Sequence, residues 1–109
     1  MAAALHMRAE AREDRRRADE LEILANRLER LAVAGIDKAA SLDRVAHALA
    51  LQRHHHEAHA MRMEARQQRA KADHEADEAS KNRREARALH EDADRDDAEA
   101  ADLERAAGN

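Results

Sequence analysis

The chain has 109 residues, 29 of them alanine, and it contains no Pro, Cys, Thr, Phe, Tyr or Trp. Its 20 Lys and Arg stand against 24 Asp and Glu, which gives a formal net charge of −4 at pH 7. The lack of thiols excludes disulfides and Cys metal sites, the short apolar runs exclude a transmembrane segment, and the scarcity of aromatic and β-branched residues argues against a β-rich fold.

The remaining residue types predict a single all-helical domain over 1–109. Ala, Arg, Glu and Leu dominate, and these residues lose little side-chain freedom in a helix. Large apolar side chains number only 18, namely ten Leu, two Ile, two Val and four Met. The monomer core is therefore expected to be thin, so that either a partner chain contributes or the helices pack on alanine.

The first predicted helix covers about 3–34 and carries a leucine repeat. The repeat consists of Leu21, Leu24, Leu28 and Leu31, at steps of three, four and three. This spacing is that of a coiled-coil seam of about two heptads.

A tight turn is predicted at 35–37. Gly35 is one of only two glycines and follows Leu31 by four residues. A glycine in the left-handed conformation past a helix end would bring Ile36 into the apolar contact with Leu31 that a Schellman motif makes. Asp37 would then cap the next helix, with Ser41 as the competing cap.

The second predicted helix covers about 38–79 and continues the amphipathic pattern. Leu42, Val45 and Leu49 repeat the three–four step. Folding back at 35–37 would bring Leu31 to the level of Leu42, so that the apolar halves of both helices meet.

A second, weaker break is predicted near 80–82. Asn82 and Glu85 have the spacing of a capping box, which would start a third helix over about 83–107. The predicted fold is then an up-down-up three-helix antiparallel bundle or coiled coil. The alternative is a helical hairpin with one very long second helix from 38 to 107, in an oligomer.

Alanine recurs at every seventh position in two long runs. The runs comprise Ala4, Ala11, Ala18, Ala25, Ala32, Ala39 and Ala46, and then Ala58, Ala65, Ala72, Ala79, Ala86, Ala93, Ala100 and Ala107. One small side chain per heptad allows two helices to approach closely. The phase is unbroken across 80–82, which favours the uninterrupted second helix.

Histidine offers the metal-binding candidates. His55 and His59 are four residues apart and share a helix face, so their imidazoles could chelate Zn, Ni or Cu. The alternative is that they simply point into solvent. In the three-helix fold His74 and His90 would lie at similar levels on two helices, as a pair that could ligate a metal or haem, or they are ordinary surface residues.

Catalysis and nucleic-acid binding are not expected. Two Ser and no Thr, Cys or Tyr leave few nucleophiles, and no Gly-rich phosphate loop exists. The basic run at 12–17 is surrounded by acidic residues, and no aromatic residue could stack on a base. The predictions are therefore no enzyme, no nucleic-acid partner, no membrane and, without a signal-peptide pattern, a cytoplasmic location.

An acidic run at 91–104 carries eight acids and one base. Carboxylates near a helix C-terminus oppose the helix dipole. A basic partner, a divalent cation or the Arg15–Arg17 end of the first helix could offset the repulsion, and fraying of the last helix is the alternative.

The chain resembles a de novo designed helical bundle in three features. Its composition favours helix alone, a turn is predicted at Leu31–Asp37, and a helix cap is predicted at Asn82–Glu85. Coiled coils of GC-rich bacteria or phages share this composition. We expect a non-enzymatic structural or interaction module without a cofactor, which forms a homo-oligomer or binds a helical partner through the Leu21–Leu51 region. The alternative is a bundle that binds a divalent transition metal through histidine.

Overall fold

The chain folds into a helical hairpin. A computed structural model describes residues 2–108, in which helix α1 spans Ala2–Leu51 and helix α2 spans His55–Gly108. The described residues include no strand, so the prediction of an all-α chain is confirmed. Neither helix of this range is long and apolar enough to cross a membrane.

The core is built from alanine. Among the described residues, every buried hydrophobic side chain belongs to the predicted heptad runs: Ala4, Ala11, Ala18, Ala25, Ala32, Ala39, Ala46, Ala58, Ala65, Ala72, Ala79, Ala86, Ala93 and Ala100. Ala107 continues the sequence pattern but is exposed. Because a methyl group is the only side chain at these positions, the two helix backbones can pack closely.

The hairpin consists of two compact units. The terminal unit comprises Met1–Ala25 with Ser80–Asn109, and the turn unit comprises Asn26–Ala79. In an antiparallel pair, facing residue numbers add to a constant. That constant is 104 for three pairs of buried alanines in the terminal unit (4 with 100, 11 with 93, 18 with 86) and three in the turn unit (32 with 72, 39 with 65, 46 with 58).

The prediction of a turn at 35–37 is wrong. Helix α1 continues through Gly35 and Asp37, so helices over 3–34 and 38–79 do not form. The physical reason is the alanine repeat, because Ala32 and Ala39 are both buried and stay on one face only if the helix is unbroken between them. A glycine inside a helix costs about 1 kcal/mol, a cost that the continuous stripe offsets.

The actual turn lies at 52–54 and closes α1 with a Schellman motif. The His54 amide donates to the Leu49 carbonyl over 2.8 Å, and the Arg53 amide donates to the Ala50 carbonyl over 3.0 Å. These are the two bonds that define the motif. Arg53 takes the left-handed position with φ of 65°, where glycine is the usual residue.

The predicted break at 80–82 does not occur either, and the three-helix bundle is wrong. Helix α2 runs through Asn82, since Ala79 and Ala86 are both buried and an uninterrupted helix keeps them in phase. The alternative hairpin with a long second helix is the better description. That helix begins at His55 rather than at 38, however, so the two helices have similar lengths.

Candidate functional site

The predicted leucine seam divides into two sets with different environments. One set is half-buried beside the alanine stripe: Leu21, Leu28, Leu42 and Leu49. The other set is exposed: Leu24, Leu31 and Val45. At 100° per residue, Leu42 lies about 60° around α1 from Ala39, whereas Val45 lies about 100° from Ala46. The exposed set therefore faces away from the contact between the helices.

Within the turn unit the exposed set forms a surface that we call the α1 strip, defined by Leu31, Lys38 and Val45. These residues are seven apart along α1, and Leu31 and Val45 are 57% and 48% exposed. A groove of about 380 Å³ lies beside Leu31 and is also lined by Arg27 and Arg30. The strip thus places two apolar side chains on one face of α1, two heptads apart, with Lys38 between them.

Lys38 is the one charged member of the α1 strip. Its Nζ lies 3.9 Å from Glu64 Oε1 on α2. Further around the helix, Val33 and Ile36 are 55% and 51% exposed. The turn unit therefore carries apolar side chains on α1 that α2 leaves uncovered.

Ion pairs join the two helices in the terminal unit. Arg8 binds Glu104 through two hydrogen bonds of 2.7 and 3.1 Å, and Arg15 contacts Asp97 at 2.6 Å and Asp94 at 3.0 Å. Hydrogen bonding to Arg8 lowers the pKa of the Glu104 carboxyl. Arginines of α1 thus contact three carboxylates of the acidic run at 91–104, and Arg15 belongs to the Arg15–Arg17 segment that was one of the alternatives for offsetting this run.

In the turn unit an ion pair also joins the two helices, with the cation on α2 and the carboxylate on α1. Arg69 of α2 binds Asp43 of α1. The residue numbers of this pair add to 112, as do those of Arg8 with Glu104 and Arg15 with Asp97. Each pair therefore satisfies a register of 112 within its own unit.

His55 and His59 lie in the first turns of α2. Both are exposed, and their spacing on one helix places them on a common face, as expected. In the part of the chain that the structure describes, neither belongs to a group of three or more side chains placed to hold a metal ion. Metal binding by this pair stays a prediction.

His74 and His90 do not form a cross-helix pair. Both lie on α2, because the third helix on which their pairing depended does not form. His74 is exposed. His90 faces α1, where its Nε2 lies 3.4 Å from Glu22 Oε1 and 3.9 Å from Asp19 Oδ1.

Asp19 and Glu22 were not among the residues singled out from the sequence. They are three residues apart on α1, which places both on one face. Glu22 and His90 also satisfy the register of 112. The signal was therefore present in the sequence, but it could be read only with the turn placed at 52–54.

Besides the predicted pair of His55 and His59, the α1 strip and the contact of His90 with two carboxylates offer binding chemistry in the described part of the chain. Comparison with protein-family models finds no matching family, and neither the curated proteins nor the solved structures give a significant match.

Proposed function

We propose that the protein is a non-enzymatic interaction module that dimerises through the α1 strip. The observation that carries the proposal is the exposure of Leu31 and Val45, two heptads apart on one face of a helix whose buried face is already occupied by alanine. Apolar side chains in this pattern are stabilised when a second helix covers them.

The large solvent-exposed area of the chain supports the proposal that it binds a partner. The chain exposes 7782 Å², whereas a folded monomer of 12.3 kDa is expected to expose about 6,100 Å². No large side chain of the described residues is fully buried. Burial of α1 against another chain would add the apolar contacts that an alanine core cannot provide.

A second copy is the occupant that fits the α1 strip. Lys38 lies midway between Leu31 and Val45, so two antiparallel strips place Leu31 of each copy against Val45 of the other. The contact of Lys38 with Glu64 keeps an acidic group beside the position where the two lysines approach. The same face then serves both copies, as a two-fold interface requires.

Replacement of both apolar residues of the strip tests the proposal. Covering the exposed half of Leu31 or Val45 contributes about 1 kcal/mol. Four such side chains in a dimer contribute about 4 kcal/mol, or roughly a 1,000-fold change in the dimer dissociation constant. We expect Leu31→Gln with Val45→Gln to yield monomer in sedimentation equilibrium while circular dichroism shows retained helix.

Two further variants sharpen this experiment. Lys38→Leu completes the apolar repeat and should tighten the dimer. Leu5→Gln removes a leucine of the terminal unit that is even more exposed (64%), and it should leave the mass unchanged. Dimerisation also makes the melting temperature rise with protein concentration. A parent chain of monomer mass whose melting temperature is independent of concentration contradicts the proposal.

A further inference from the structure

Three side chains that can ligate a metal lie close together on the surface of the terminal unit. Asp19 and Glu22 lie on α1, and His90 reaches them from α2, with one ligand atom of each within 4.8 Å of the other two. Within residues 2–108 this is the one group of three or more such side chains. We propose that Asp19, Glu22 and His90 form a Zn²⁺ site that links the two helices.

The distances fit a zinc coordination shell. Zn²⁺ binds His nitrogen at about 2.0–2.1 Å and carboxylate oxygen at about 2.0–2.2 Å in a tetrahedron, which sets neighbouring ligand atoms about 3.4 Å apart. His90 Nε2 lies 3.4 Å from Glu22 Oε1 and 3.9 Å from Asp19 Oδ1. The Asp19 and Glu22 oxygens lie within 4.8 Å of each other, so the exposed Asp19 side chain has to move toward the other two ligands to complete the shell, with a water in the fourth position.

The charges at this position distinguish it from the ion pairs formed by Arg8 and Arg15 in the same unit. Arg8 faces Glu104 and Arg15 faces Asp97, so a permanent cation neutralises each of those carboxylates. At Asp19 and Glu22 the facing residue is a histidine, which binds metals as a neutral imidazole. Two carboxylates and a neutral imidazole carry two negative charges, which one divalent cation neutralises.

The donor set also selects the kind of cation. Mg²⁺ and Ca²⁺ prefer shells made of oxygen alone, whereas an imidazole nitrogen with carboxylates suits Zn²⁺. Because the ligands come from both helices, the ion binds the folded hairpin and not the separated helices. Zinc binding therefore raises the stability of the folded chain.

The test uses the full chain with His55→Ala and His59→Ala, which removes the other histidine pair that could take up zinc. We expect this background variant to bind one Zn²⁺ per chain in calorimetry and to melt at a higher temperature with Zn²⁺ than with a chelator. Adding His90→Ala should abolish both effects. Adding Asp19→Asn or Glu22→Gln should weaken zinc binding at least tenfold.

His74→Ala is the matched control, since His74 is an exposed histidine of the same helix. It should leave zinc binding and the melting shift unchanged. If the His90→Ala variant binds zinc as its background does, or if zinc does not raise the melting temperature of the background, the three residues form an ion pair only and the proposed site is overturned.

Discussion

Gly35 is a glycine in the middle of a long helix, at a position where neighbouring heptads carry leucine. The helix continues through it, and Leu28 and Leu42 occupy the equivalent positions one heptad away. A groove of about 190 Å³ is lined by Gly35 together with Gln68 and Glu75. The missing side chain thus costs backbone entropy and leaves a gap at the contact between the helices.

Gly35→Ala should therefore stabilise the protein. A Cβ built at this position lies 3.4 Å from Ala72 Cβ and 3.5 Å from the Gln68 carbonyl oxygen, which is ordinary van der Waals contact. Removing a glycine from a helix interior stabilises by about 0.5–1 kcal/mol. We expect a higher midpoint in urea unfolding.

The same substitution tests where the chain reverses. A glycine at the left-handed position of a turn at 35–37 could be replaced by alanine only with strain, and Gly35→Ala would then destabilise the chain. A lowered unfolding midpoint would contradict the continuous helix. Gly108→Ala is a suitable control, because nothing lies within 4 Å of a Cβ at Gly108.

The position of the turn could not be predicted from single residues, because an arginine and not a glycine takes the left-handed conformation there. Arg53 takes the left-handed conformation with φ of 65° although arginine has no preference for it. The turn segment at 52–54 contains neither glycine nor proline, so rules based on those residues pointed to Gly35 instead. The group of Asp19, Glu22 and His90 escaped prediction for the same reason, since the proximity of Asp19 and Glu22 to His90 depends on the register that the turn sets.

At the level of whole elements, the alanine repeat contained the information that single residues lacked. The phase is constant from Ala4 to Ala46 and again from Ala58 onward, but Ala46 and Ala58 are twelve residues apart. Because twelve is not a multiple of seven, the heptad phase changes between these two alanines. The simplest interpretation is that the chain reverses direction between them. The repeat also runs unbroken across Gly35 and Asn82, and both predicted breaks there proved wrong.

The leucine repeat was easier to misinterpret because its members belong to two faces. Leu42 is half-buried and Val45 is exposed, although the pattern assigned both to one seam. Large apolar residues normally mark the core of a helix. Here alanine takes that place, and the leucines flank it, so the burial of the α1 leucines follows from the angle around the helix between each leucine and the nearest alanine of the repeat.

Enlarging one alanine of the stripe should separate the helices. Ala39 is fully buried in the turn unit, and a leucine there must force off-rotamer side chains or backbone shifts, which typically cost about 1–3 kcal/mol. We expect Ala39→Leu to lower the free energy of unfolding by this amount. The measurement is urea unfolding followed by circular dichroism.

Ala60→Leu is the control for this substitution. Ala60 is exposed on α2 in the same unit, so a leucine there keeps the helix propensity without entering the contact between the helices. A chain with Ala39→Leu that is as stable as one with Ala60→Leu would show that the helices do not need a small residue at this position.

Across the whole molecule, charge is nearly balanced in number but unevenly distributed. The formal net charge is −4, yet residues 91–104 carry eight acids and one base. Arg8 and Arg15 of α1 contact three of these acids, Asp94, Asp97 and Glu104. The acidic run is thus compatible with a helix because the opposite helix supplies cations along it.

Acid should weaken this arrangement through Glu104. Its folded-state pKa is lowered from the ordinary value of 4.5 by hydrogen bonding to Arg8, so the unfolded chain takes up a proton more readily than the folded chain does. A lowered pKa contributes stability that is fully present above the unfolded value and is lost as the pH falls below it through the folded value. The protein should therefore become less stable as the pH drops from neutral to below 4.5.

Glu104→Gln isolates this contribution. The variant should unfold at a lower urea concentration than the parent at pH 7, and the gap should narrow toward pH 3, because protonation of Glu104 as the pH falls through its lowered pKa removes the charge that Arg8 contacts. Glu99→Gln, at an exposed position of the same acidic run, should show a smaller gap at pH 7. A gap between the parent and Glu104→Gln that is equally large at both pH values would mean that the contact with Arg8 stabilises the hairpin by packing rather than by charge.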